Sequence, residues 1–116
     1  MRTSTTKQSE AAIQQACYMW FHNNHISLRG LLFHVNNNSA SSASGQLHKM
    51  LGVVPGVSDL LFIYGGTVYC IEMKTPTGYQ SEDQKTWQKQ VNKQKVPYYI
   101  IRSLDEFKTL IKSIIE

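Results

Sequence analysis

Apolar residues recur along this chain at helical spacing near the start, in short β-rich runs through the middle, and at helical spacing again near the end. Over residues 7–24, Ile13, Ala16, Cys17, Trp20 and Phe21 fall on one stripe, which predicts a first helix carrying Glu10 on the same side. Residues 29–35 read as a strand. Residues 36–45 are an Asn/Ser stretch that cannot build a core and read as a flexible loop, followed by a short helix over 46–51 and a turn-rich approach over 52–56. Two β-rich runs, 57–64 and 67–74, flank Gly65 and Gly66, a strong hairpin pattern because type I′ and II′ turns need positive φ. Ser81 with Gln84, and Ser103 with Glu106, have the form of capping boxes. They open a helix running to about Gln94 and a last helix buried through Phe107, Leu110, Ile111 and Ile114. Between them residues 96–101 read as a buried strand with Pro97 near its start. The expected order is α, β, β-hairpin, α, β, α. The hairpin strands are apolar on both faces, so the expected fold is an α/β sandwich with helices on both sides of a mixed sheet.

At 116 residues the chain fits one domain, 1–116, with room for a real core. Its 12 Lys and Arg against 8 Asp and Glu suit a polyanionic partner without requiring one. The first residues lack the apolar core of a signal peptide, and no apolar run approaches the roughly 20 residues of a membrane span, so a cytoplasmic protein is expected. Cys17 and Cys70 have no metal or redox spacing and read as reduced core thiols.

The hairpin sharpens the chemistry. If Gly65 and Gly66 form the two-residue turn, Tyr64 faces Thr67 and, further along, Asp59 faces Glu72. Directly opposed side chains stand about 5 Å apart, where two like charges destabilise a sheet. A shared proton or a bound cation would relieve that repulsion, and paired carboxylates suit Mg²⁺ or Mn²⁺. Lys74, two residues beyond Glu72, points to the same side, while Met73 points away and leaves its carbonyl near the acids. Packing the first helix over this face would add Glu10. Against this stands the plainer reading of solvated hairpin charges with Lys74 as a salt-bridge partner.

Glu10 in a first helix, Gly56, Val57, Ser58 and Asp59 opening a strand, and Ile71, Glu72, Met73 and Lys74 closing the next form an ordered set. With the Gln-bearing helix that follows and the apolar strand after it, this set resembles the VRR-NUC branch of the PD-(D/E)xK nucleases over nearly the whole chain. The resemblance implies an αβββαβ core, dependence on Mg²⁺ or Mn²⁺, and hydrolysis of DNA phosphodiesters. Small stand-alone members, often phage-encoded, are similar to Holliday-junction resolvases that act as homodimers on branched DNA such as four-way junctions or flaps. It implies metal ligation by Asp59, Glu72 and the Met73 carbonyl with help from Glu10, a water-activating role for Lys74, and a motif glutamine at either Gln84 or Gln88. Two positions depart from the pattern: Pro55 stands four residues before Asp59, and Gln94 and Lys95 replace a glycine often found before the final core strand.

Further nucleic-acid contacts are expected of Lys85 and Lys89, at helical spacing with Lys93, and of His48 and Lys49 on the approach to the acidic strand. Tyr79 and Trp87 could stack on an unpaired base or pack at the rim. His22, His25 and His34 read as packing residues. Rival readings are a nucleic-acid-binding module that no longer cuts, and an interaction protein whose acid pair is incidental.

Overall fold

The computed structural model describes residues 8–35 and 42–116. Helix α1 (Glu10–Asn24) starts at an N-cap, Ser9, whose hydroxyl accepts from the Ala12 N–H at 3.1 Å. A 3-10 turn (Ile26–Leu28) leads to strand β1 (Leu32–His34), shorter than the strand expected over 29–35. The reason is Gly30, whose φ of 91° turns the chain before pairing can begin. Of the loop expected over 36–45, residues 36–41 lie outside the described residues. From Ser42 onward that expectation is corrected, because α2 spans Ser42–Met50. Its first turn, Ser42 to Gly45, contains no Pro or β-branched residue but includes Gly45, which weakens a helix by about 1 kcal/mol relative to Ala, so local propensity does not mark it.

The hairpin forms as expected. β2 (Leu60–Tyr64) and β3 (Thr67–Met73) pair antiparallel from Tyr64↔Thr67 to Leu60↔Ile71. Gly65 and Gly66 take φ of 60° and 82°, the two positive values of a type I′ turn. After α3 (Glu82–Lys93), β4 (Tyr98–Ile101) pairs parallel with β3, and α4 (Leu104–Ile115) follows from its Ser103 cap. The sheet order is β1-β2-β3-β4. Pro97, which has no N–H to give, contributes its carbonyl to the Cys70 N–H at 3.0 Å.

One face of the sheet presents Leu32, Leu60, Phe62, Ile71, Met73 and Ile101 to Ile13, Cys17 and Phe21 of α1 and to Phe107, Leu110 and Ile111 of α4. These side chains are the core. The other face is covered by α3 beside β4, where the Trp87 and Tyr98 rings meet at 6.1 Å. Towards β1 and β2 that face is open, and Phe33, Ile63 and Val68 are partly exposed, so helices cover both sides only at the β3–β4 end. Cys17 and Cys70 are buried free thiols, and burial pushes Cys17 up to about 12. Among the described residues no helix is long and apolar enough to cross a membrane.

Candidate active site

The acids sit where β2 and β3 leave their ladder. Alternation along β3 turns Ile71 and Met73 into the core and Cys70 and Glu72 to the opposite side. Asp59 is held twice. Its backbone carbonyl accepts from the Val35 N–H at 2.9 Å, and its carboxylate Oδ2 accepts from the Met73 N–H at 2.7 Å. The second bond crosses the strands at the position where the register predicted opposition to Glu72.

Glu72 is 0% exposed. Its Oε2 accepts from Gln84 Nε2 at 2.7 Å and lies 3.7 Å from Lys74 Nζ, while Oε1 is buried with no hydrogen-bond partner. Burial pushes this carboxyl up to about 8, helped by the neighbouring Asp59 charge and opposed by Lys74. A buried carboxyl with an orphaned oxygen is costly unless a proton or cation completes it.

Lys74 is also buried, its N–H bonded to the Ile101 carbonyl at 3.0 Å. Its ammonium stands 3.7 Å from both Glu72 and Glu10. Glu10 therefore reaches the site, but not as expected: α1 packs on the core face, and its first turn brings Glu10 to Lys74 at the end of the sheet. Among the described residues no three His, Cys, Asp or Glu side chains form a metal-ligand group by themselves. Glu10 thus meets the acids by way of Lys74, which it approaches from the core side of the sheet rather than from over the acid face.

The two candidate glutamines separate cleanly. Gln84 completes the α3 capping box, its Oε1 accepting from the Ser81 N–H at 2.8 Å, which aims its amide nitrogen at Glu72. Gln88 instead accepts from Gln80 Nε2 at 2.8 Å. Lys85 pairs with Glu82 at 3.2 Å on the solvent side of α3, and Lys89 is exposed on the same helix. His48 and Lys49 occupy the last turn of α2. Tyr79 is exposed, whereas Trp87 packs on Tyr98.

Two features of the site were missed by pattern alone. Gly56 has φ of 86°, and a Cβ there would collide with the backbone of Asp83 and Gln84. This glycine lets the approach to Asp59 lie against the first turn of α3, so it fixes Gln84 relative to the acids. Lys95 takes φ of 64°, the left-handed conformation suited to the glycine it replaces. A positive-φ requirement at Gly56 could have been suspected from the PG turn at 55–56, but the close approach could not.

No family model matches the chain, and no curated protein does. Among solved structures, one described as a "VRR_NUC domain protein" superimposes with a TM-score of 0.78 at 19% identity, covering 95% of this chain and 90% of that one. The mixed four-stranded sheet with its flanking helices therefore has the fold of that VRR_NUC domain protein.

Proposed function

We propose that the chain is a divalent-metal-dependent endodeoxyribonuclease that hydrolyses phosphodiester bonds in branched DNA. The observation that carries this reading is the buried Glu72 carboxyl, its Oε1 orphaned, beside Asp59 and within reach of Lys74. An all-oxygen donor set of this kind fits Mg²⁺ or Mn²⁺. Asp59, Glu72 and the Met73 carbonyl would hold the ion, with Glu10 assisting. When bound, such an ion supplies Lewis acidity to a phosphoryl oxygen and lowers the pKa of water.

The protein's own groups perform the remaining work. The Met73 N–H and Gln84 amide fix one oxygen of each acid, so both carboxylates are preorganised before substrate arrives. Glu72, its carboxyl raised to about 8 chiefly by burial, would hold a proton near neutral pH that a bound cation would displace. Lys74, steadied between Glu10 and Glu72, orients the attacking water and balances charge developing on the phosphate. By family likeness the products carry 5′-phosphate and 3′-hydroxyl ends. Exposed Lys85, Lys89 and Lys49 would follow phosphates away from the cut, with His48 beside them. We extend the proposal to a homodimer, since two-fold symmetry matches two equivalent junction strands and exposed Ile63 and Val68 offer an apolar surface to a second copy.

Incubation of pure protein with linear, flapped, bubble and four-way-junction DNA, with and without Mg²⁺ or Mn²⁺, tests this. Metal-dependent nicking of the branched substrates is expected. Binding without cleavage under any metal would overturn the reading.

A further inference from the structure

A cleft of about 700 Å³ opens beside the acids, between α1 and the edge strand β1. Glu10 and Asp59 belong to its wall, so it is continuous with the candidate active site. Beyond them it is lined by Gln14, Tyr18, Phe33 and His34. Its volume falls within the roughly 300–1,000 Å³ of sites that take small organic ligands.

The lining decides what part of DNA it suits. No Lys or Arg is among the described residues that line it, while two carboxylates are. Beyond the two acids, the lining residues offer no cation to pair with a phosphate. A nucleobase is neutral, with π faces that stack on aromatic rings and an edge of donors and acceptors that amides can match. Tyr18 offers a ring from α1 and Gln14 an amide, while Phe33, whose side chain leaves β1 on the opposite sheet face, borders the cleft at its rim. His34 is set by its neighbours: Nδ1 lies 2.8 Å from the Asp59 carbonyl, which can only accept. The proton therefore sits on Nδ1, leaving Nε2 an acceptor. Gln14 places its side-chain amide 3.1 Å from the same Nδ1, beside this ring on the α1 side.

We propose that this cleft receives one unpaired nucleobase next to the scissile phosphodiester, stacked on Tyr18 and read along its edge by Gln14 and His34. The proposal rests on the nuclease reading above and deepens it. A base still paired and stacked in a duplex presents neither face, so the substrate class becomes DNA with an unpaired base beside the cut, as at a flap, bubble or strand-exchange point.

The test uses metal-supplemented cleavage of flap and junction DNA carrying a single abasic residue walked along the cut strand. At one position beside the cut, the missing base is expected to slow the wild type roughly tenfold or more, the range of one lost stacking contact. Tyr18→Leu should slow cleavage of intact DNA by a similar factor and become indifferent to the abasic residue. An unchanged rate on the abasic substrate shows that this variant is folded, and Gln14→Ala should alter base preference at the same position. If the wild type cuts abasic and intact substrates equally at every position, the base cleft is overturned while the nuclease reading stands. If the wild type cuts no DNA with any metal, the nuclease reading falls and the cleft proposal falls with it.

Discussion

Replacing Glu72 with glutamine keeps the side chain's shape and its bond from Gln84 but removes a charge that the fold holds at a cost. The carboxyl is raised from near 4.5 to about 8, chiefly by burial and then by Asp59. Between those two values the folded protein holds a proton that the unfolded chain has lost, so this group's contribution to stability is full below pH 4.5 and declines as pH rises through 8. Each unit is about 1.4 kcal/mol, so the loss from this carboxyl amounts to something on the order of 5 kcal/mol above pH 8. Glutamine cannot ionise, and its amide can donate to Asp59 in place of the missing proton. In chelator-treated protein, thermal unfolding of wild type and Glu72→Gln should coincide near pH 4. By pH 8.5 the variant should melt on the order of 10 °C higher. Cleavage should be lost at every pH. Parallel melting profiles across this range would show that Glu72 titrates normally, and the buried-acid reasoning would fail.

Lys74→Met should retain Mn²⁺ binding by calorimetry while losing roughly 100-fold or more in cleavage rate, since the amine acts on the water and developing charge more than on ground-state affinity; an unchanged rate would reduce Lys74 to a structural ion-pair partner. Gly56→Ala should cost about 2–4 kcal/mol in denaturant unfolding, combining strain at φ 86° with collision against the first turn of α3. Lys95→Gly should raise stability by about 0.5–1 kcal/mol by relieving its left-handed backbone, with no change in activity. A drop in stability there would mean that the long side chain contributes more than the backbone costs.

How far the sequence could be read follows from which interactions are local. Gly65 and Gly66 fix the hairpin turn, and the turn fixes register, so the meeting of Asp59 with the β3 backbone near Glu72 follows from pairing alone. The Ser81 capping box is also local, and it decides between Gln84 and Gln88: the glutamine that closes the box is the one aimed at Glu72. The route by which Glu10 reaches the site was not legible because it depends on how α1 packs. Periodicity shows that a helix has an apolar stripe without showing which sheet face receives it. Only the first turn of the helix over Ser42–Met50, ahead of the short helix expected over 46–51, escaped, because Ser42, Ala43, Ser44 and Gly45 carry no apolar stripe. Gly56 against Asp83, and the cleft between α1 and β1, arise from contacts between distant segments and left no mark in local pattern.

The most direct test of the central claim is single-turnover cleavage of a labelled four-way junction by wild type and Asp59→Asn in saturating Mn²⁺, with circular dichroism confirming that both are folded. Wild-type nicking with at least a hundredfold loss in Asp59→Asn is the expected result. Equal rates would remove Asp59, and with it the acid pair on β2 and β3, from the chemistry.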